Sequence, residues 1–206
     1  MRSRDELDLR RGAILGHGEG AGIALSVAIA DPAVAAVGLV GASARGFRDV
    51  LRRGVAERAW TGRDREHPFV AALDRTSEEL IERADRREAE MTVSLPGGPA
   101  RLALAGWEQA FHTPPMALAT MLHREVVLGH GEADAWADPA ESDLLAETLR
   151  RGGNHPLQLP VPGAGHELDE ADDGSIDAFA AALAERIRPR ELPPVLVAIE
   201  EMRGDR

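Results

Sequence analysis

Residues 12–22 read GAILGHGEGAG, a short apolar run followed by a turn rich in glycine. The run at 12–15 is typical of a strand that is buried on both faces of a parallel sheet. Residues 21–30, which follow the turn, are mostly apolar and predict a helix. A strand that turns sharply into a helix is the repeating unit of α/β proteins, in which functional residues collect at the ends of strands.

The same alternation continues along the chain. Further buried strands are predicted at residues 33–40, 125–128 and 157–161, and helices at residues 138–151 and 175–187. Strands that alternate with helices indicate parallel pairing through right-handed crossovers. The predicted class is therefore α/β, a short parallel sheet flanked by helices, with the loops that follow the strands gathered at one edge.

Residues 45–123 interrupt this alternation with mixed charge at helical spacing, and we interpret them as a helical cap. Within the cap, residues 77–90 predict a solvated amphipathic helix and residues 95–99 a loop marked by glycine and proline. We assign residues 1–188 to one domain that carries this cap. Residues 189–206 are interpreted as a C-terminal linker and short tail.

Composition limits the partners and the compartment. The 24 Lys and Arg against 35 Asp and Glu give a net charge of −11, which opposes binding to nucleic acid and to anionic membranes. The absence of cysteine excludes disulfides and thiolate metal sites, and the charged first residues contain no apolar export signal. We expect a cytoplasmic protein that binds neither nucleic acid nor membrane.

Three glycine-rich loops hold the residues that could do chemistry. The string AILGHGEGAG at 13–22 resembles the GHSEGG nucleophile elbow of α/β-hydrolases of the serine aminopeptidase and esterase type, with Gly18 in place of the serine. The string VVLGHGEAD at 126–134 resembles that family's acid loop, and PGAGH at 162–166 resembles its histidine loop. The resemblance spans residues 11–188 in outline, in the family's chain order. It implies a partial α/β-hydrolase fold, the C-terminal half only.

The resemblance also implies roles for single residues. Asp134 would orient His166, and His166 would act as general base, but Gly18 offers no side chain to activate. Glu19 would keep its backbone N–H as one oxyanion donor. We expect the strands that precede the elbow in the family, with the second donor, to be missing. The resemblance thus implies a relative of enzymes that cleave esters or amides, itself inactive or very weak.

Other interpretations of these loops stay open. The turn at 16–22 lacks the Gly-Lys-Ser/Thr ending of a phosphate loop and meets the dinucleotide-binding register only in part. Zinc or iron could be bound by the histidines and carboxylates of the loops, namely His17, Glu19, His130, Glu132, Asp134 and His166. Turns favour glycine and small polar residues in any case, so we expect no cofactor and no metal.

Two further functions remain possible. A non-enzymatic protein could hold a small ester-like or amide-like ligand in the cleft beside Asp134 and His166, or recruit a partner through its sheet edge. Alternatively, His166 could act as a base on bound water or on an acidic substrate proton. One edge of the first strand has no predicted neighbour, and exposed apolar edges promote association. We therefore expect a second copy of the chain, or a partner chain, to cover it.

Overall fold

The motif loops are carried by a four-stranded parallel sheet. The computed structural model describes residues 12–57, 68–95, 97–105, 111–134, 136–166, 168 and 173–187. The predicted C-terminal linker and tail at 189–206 lie outside the described residues. In chain order the elements are β1 (Gly12–His17), α1 (Gly20–Ala30), β2 (Val34–Val40), α2 (Phe47–Glu57), α3 (Pro68–Asp85), β3 (Glu90–Leu95), β4 (Gly98–Ala103), α4 (Pro115–Ala119), β5 (Glu125–Gly131), α5 (Pro139–Arg151), β6 (Leu157–Val161) and α6 (Asp173–Ile187).

Strand order in the sheet is β1-β2-β5-β6, and every neighbouring pair is parallel. The predicted α/β class is confirmed. β2 lies between the elbow strand β1 and the strand β5 that leads to the acid loop, so the ends of β1, β2 and β5 are adjacent. Among the described residues, β1 is an edge strand.

Helices cover both faces of the sheet. On one face α1, α4 and α5 form the main core with alternate residues of β2 and β5, including Val37, Leu39, Val126 and Leu128. On the other face α6 packs against two glycines, because a Cβ at Gly129 would lie 2.9 Å from the Phe179 ring and a Cβ at Gly38 would lie 3.2 Å from it. The missing side chains allow α6 to approach the sheet closely.

The region between β2 and α4 has its own apolar core. This cap core is formed by α2, α3 and the antiparallel hairpin of β3 and β4, and it contains Leu51, Leu80, Ile81, Ala84, Met91, Val93, Leu104 and Phe111. The helix predicted to run through residue 90 ends at Asp85. Leu80 and Ile81 are buried, so one face of that helix is packed rather than solvated.

The hairpin of β3 and β4 was not predicted from the sequence. Met91 and Val93 point toward the cap core, while Thr92 and Ser94, which alternate with them, are exposed. An alternation of two apolar residues is a weak signal beside the charged residues around it.

Within the described part of the chain, no helix is both long and apolar enough to cross a membrane.

Candidate active site

The elbow turn places Gly18 directly after β1. Its backbone is left-handed, with φ at +53°, and its N–H donates to the carbonyl oxygen of Val40 at 2.9 Å. Glycine adopts this conformation without steric cost. Gly16 allows the close return of the helix, because a Cβ there would lie 2.5 Å from the oxygen of Gly20 and 2.8 Å from Cβ of Ala24. The glycines therefore serve both the turn and its packing against α1.

Asp134 follows β5 and has a fully buried side chain. Its Oδ1 accepts hydrogen bonds from the backbone N–H groups of Trp136 and Ala137, both at 2.8 Å. Its Oδ2 lies 2.9 Å from Nδ1 of His166. Both oxygens thus have donors, which is the condition under which a buried carboxylate is stable. The predicted acid and imidazole are in direct contact.

The contact with Asp134 determines how His166 is oriented. A carboxylate only accepts, so Nδ1 carries the proton, and in the neutral imidazole Nε2 is then the basic nitrogen. Nε2 faces the elbow, because a Cβ built on Gly18 would lie 3.0 Å from it. The structure therefore brings Gly18, Asp134 and His166 together in the order elbow, imidazole, acid.

Two further residues frame the imidazole. Nε2 of His17 donates to the backbone carbonyl of His166 at 2.8 Å, and the two ring centroids are 4.7 Å apart. The Trp136 ring lies 6.1 Å from the His166 ring and also packs against the cap core. His166 is thereby held between the elbow strand and the cap. The bond to His17 fits a hydrogen-bonded loop histidine better than a metal ligand.

Gly41 and Gly131 surround the same pair, and the sequence analysis missed both. Gly41 is left-handed at φ +55°, and a Cβ there would lie 3.1 Å from the imidazole and 3.3 Å from Oδ2 of Asp134. A Cβ on Gly131 would lie 2.3 Å from the carbonyl oxygen of Ala164. The histidine loop can therefore lie against the acid loop only because residue 131 has no side chain.

Glu19 lies beside the imidazole as the residue that precedes α1. Although one side of the residue is exposed, burial raises the pKa of its carboxyl above the ordinary value of 4.5, and the charge of His166 opposes this shift. No acceptor for the Glu19 backbone N–H is found among the described residues.

Of the two remaining polar residues of the acid loop, one is buried and hydrogen-bonded and the other is exposed. His130 is buried in β5, and its Nε2 donates to the carbonyl oxygen of Ala137 at 2.7 Å. Glu132 is exposed on the turn after β5. Within the described ranges, no group of three or more histidine and carboxylate side chains could hold a metal ion.

A buried carboxylate behind the site was also missed from the sequence. Glu141, in the first turn of α5, accepts from Oγ of Ser43 at 3.1 Å and from the backbone N–H groups of Ala44 and Arg45 at 3.2 Å. The Arg45 guanidinium also donates to the Glu141 carboxylate, at 2.5 Å. Glu141 fastens the loop after β2, which contains Gly41, to α5. A single glutamate at the start of a helix carries no sequence signal for such a role.

Several solved structures share this architecture. The chain superposes on the esterase domain of a Rhodothermus marinus protein with a TM-score of 0.51 at 21% identity, covering 84% of this chain and 60% of that one. A puromycin-hydrolyzing peptidase of Mycobacterium tuberculosis gives 0.53 at 17% identity, with 90% and 23% covered. The acylaminoacyl peptidase of Pyrococcus horikoshii gives 0.55 at 9% identity, with 92% and 26% covered.

At these identities the likeness is one of fold. No family model and no curated protein sequence matches the chain. The chain spans 60% of the Rhodothermus domain and about a quarter of each of the two peptidases. With its parallel sheet and flanking helices, it has a partial α/β-hydrolase fold.

Proposed function

We propose that this chain is an α/β-hydrolase-like protein related to serine esterases and peptidases, in which Asp134 and His166 are the acid and base of a triad. Gly18 occupies the position of the nucleophile. The chain accordingly hydrolyses esters or amides very weakly or not at all. The observation that carries this proposal is the 3.0 Å separation between a Cβ built on Gly18 and Nε2 of His166.

The chemistry follows from the orientation of the imidazole. In the acyl-transfer mechanism, Nε2 takes a proton from a hydroxyl, and the carboxylate stabilises the imidazolium that forms. At Gly18 there is no hydroxyl, so this proton transfer has no donor on the protein. His166 retains the carboxylate contact that sets its tautomer, and Glu19 retains one backbone donor for a developing oxyanion.

The test restores the missing hydroxyl. In Gly18→Ser the new Cβ requires the imidazole to retreat by a few tenths of an ångström, and a side chain at φ +53° costs about 1–2 kcal/mol of stability. Loss of a triad serine reduces turnover by about 10⁶, and loss of one oxyanion donor by about 10²–10³. We expect Gly18→Ser to hydrolyse p-nitrophenyl acetate at least about 10³-fold faster than the natural chain.

Gly18→Ala is the matched control, because it introduces the same Cβ and the same backbone strain without a hydroxyl. Adding His166→Ala to Gly18→Ser tests whether the new turnover depends on the imidazole. The proposal is wrong if folded Gly18→Ser turns over the ester no faster than Gly18→Ala across a panel of activated esters.

A second candidate function is non-enzymatic binding of a small ester-like or amide-like ligand. It is favoured by the left-handed glycine, which leaves the basic edge of His166 facing a position that has no side chain. Titration with N-acetylalanine amide, followed by the NMR signals of the His166 ring, separates the two candidates. Saturable shifts at His166 together with no gain of turnover in Gly18→Ser favour binding.

A further inference from the structure

The five residues LGHGE occur twice in the chain, at 15–19 and at 128–132. The first copy lies at the end of β1 and the second at the end of β5, so both stand at the C-terminal edge of the sheet, on either side of β2. The histidine of the first copy, His17, is the last residue of its strand, and that of the second, His130, is the next to last. The proposed function assigns a role to neither of them.

The two imidazoles make the same kind of bond. Nε2 of His17 lies 2.8 Å from the backbone oxygen of His166, and Nε2 of His130 lies 2.7 Å from that of Ala137. A carbonyl oxygen only accepts, so both side chains carry a proton on Nε2 and donate it. Nδ1 of His130 is buried and has no partner among the described residues, so the bond to Ala137 is the one that fixes this ring there.

His130 acts on the acid through Ala137. The N–H of Ala137 donates to Oδ1 of Asp134 at 2.8 Å, and the C=O of the same residue accepts from His130. Residue 137 is thus held from two sides, and its N–H stays directed at the carboxylate. Nε2 of His130 is 3.9 Å from Oδ2 of Asp134, which is beyond hydrogen-bonding range. His130 therefore does not compete with His166 for that oxygen.

His17 acts on the base through the backbone of His166. Its bond to the His166 carbonyl joins the end of β1 to the histidine loop. The ring of His166 makes its own contact with Asp134 at 2.9 Å. The residue is therefore fixed at two points, its backbone by His17 and its ring by Asp134, and Nε2 then faces Gly18.

The two histidines act from opposite faces of the sheet. Successive side chains of a strand point to opposite faces. His130 shares a face with Leu128, which belongs to the main core with α1 and α5. His17 shares a face with Leu15, which lies on the side covered by α6. The acid and the base are thereby each supported from a different side.

We propose that His17 and His130 are positioning residues that keep the base and the acid in contact. Each donates its Nε2 proton to one backbone carbonyl, His17 in the histidine loop and His130 in the acid loop. Without His130 the turn after Asp134 loses a bond that directs its N–H groups at the carboxylate. Without His17 the histidine loop loses its tie to β1. The proposal rests on the proposed function, which makes Asp134 and His166 the acid and the base.

The tautomers of the three histidines provide a first test, in the natural chain. At about pH 9, where imidazoles are neutral, the NMR signals of the ring nitrogens show which of them carries the proton. We expect the proton on Nε2 in His17 and His130, and on Nδ1 in His166. A proton on Nδ1 of His17 or His130 would exclude the bond and overturn the proposal.

Replacement of each histidine tests what its bond does. Met has a similar volume and no donor, whereas the Gln amide offers a donor near the position of Nε2. We expect His130→Met to speed the exchange of the Trp136 and Ala137 amides about 10-fold, and His17→Met to leave these two amides unchanged. Each Met variant should lower the ratio of Nδ1-protonated to Nε2-protonated His166 at least about threefold. Each Gln variant should keep the natural values.

Asn154→Leu is the matched structural control. Asn154 is buried and donates to the carbonyl oxygen of Leu122 at 2.6 Å, close to the start of β6 and so at the opposite end of the sheet. Its replacement also removes a buried bond from a side chain to the backbone, and it should leave the His166 signals unchanged. The proposal is overturned if Asn154→Leu moves these signals as much as the Met variants do, or if the Gln variants behave like the Met variants.

Turnover separates this proposal from the proposed function. If Gly18→Ser gains no ester hydrolysis, the proposed function is wrong, while the ring signals of the natural chain still test the two bonds. If Gly18→Ser gains hydrolysis, adding His17→Met or His130→Met should lower kcat at least about 10-fold with little change in KM, because a displaced acid or base affects the chemical step. An unchanged kcat would contradict a positioning role for the histidine that was replaced.

Discussion

Replacement of Gly131 tests how the imidazole is held against the acid. In Gly131→Ala the new Cβ would lie 2.3 Å from the carbonyl oxygen of Ala164 and 2.4 Å from that of Gly165. Ordinary van der Waals contact requires about 1 Å more than this. Both neighbours are backbone atoms, so relief requires the histidine loop itself to move outward.

The size of that movement decides its effect on the pair. The distance from Nδ1 of His166 to Oδ2 of Asp134 is 2.9 Å. A displacement of about 1 Å along this direction takes it beyond hydrogen-bonding range. Overpacking of this kind lowers the free energy of unfolding by about 1–3 kcal/mol. We therefore expect Gly131→Ala to lose both stability and the contact between acid and imidazole.

Urea denaturation measures the free energy of unfolding, and NMR of the His166 ring nitrogens reports whether the contact with Asp134 is kept. Gly22→Ala is the matched control, since its Cβ would meet no atom within 4 Å beyond its own helix. An alanine at this position in the first turn of α1 should raise the free energy of unfolding by up to about 1 kcal/mol and leave the His166 signals unchanged. If Gly131→Ala matches the natural chain in both measurements, the close approach of the two loops does not position His166.

Two further predictions concern the contribution to stability of two carboxylates at the start of α5, Asp138 and Glu141. Asp138 accepts from the Ala140 N–H at the start of α5 and pairs with Arg53 of the cap, and these two contacts lower the pKa of its carboxyl below 3.8. Its contribution to stability is therefore present above about pH 4 and is lost as the pH falls through the lowered pKa. Asp138→Ala should cost about 1 kcal/mol at pH 7 in urea denaturation, whereas Asp138→Asn retains the cap and costs less. Glu141→Gln should lower the free energy of unfolding by about 3 kcal/mol, because an amide cannot accept all the donors that converge there. The exposed Glu147→Gln on the same helix should change it by less than about 1 kcal/mol, and equal losses in the two variants would contradict a buried anchoring role for Glu141.

The sheet and the meeting of the three loops could be predicted because they depend on local patterns. The apolar runs identify β1, β2, β5 and β6, and parallel strands place their C-terminal ends at one edge. Gly18, Asp134 and His166 each follow such a run. The strand pattern places all three at one edge of the sheet, and the resemblance of the three loops to the α/β-hydrolase motifs predicts that they meet there.

The residues that were missed depend on tertiary placement. Gly41 contacts the pair because β2 lies between β1 and β5, and strand order is not written in any local pattern. Trp136 joins the cap core to His166 across two separate parts of the chain. Glu141 is matched to donors almost one hundred residues away. Such long-range contacts have no periodicity to detect.

The left-handed turn at Gly18 has one further consequence. In an elbow that carries a serine, the turn stores conformational strain that surrounding contacts must restrain. Glycine adopts the same left-handed conformation without that strain. The bend at Gly18 can therefore persist in a site that has no catalytic activity. It is not by itself a sign of catalytic activity, and the measurements on the His166 ring have to supply that evidence.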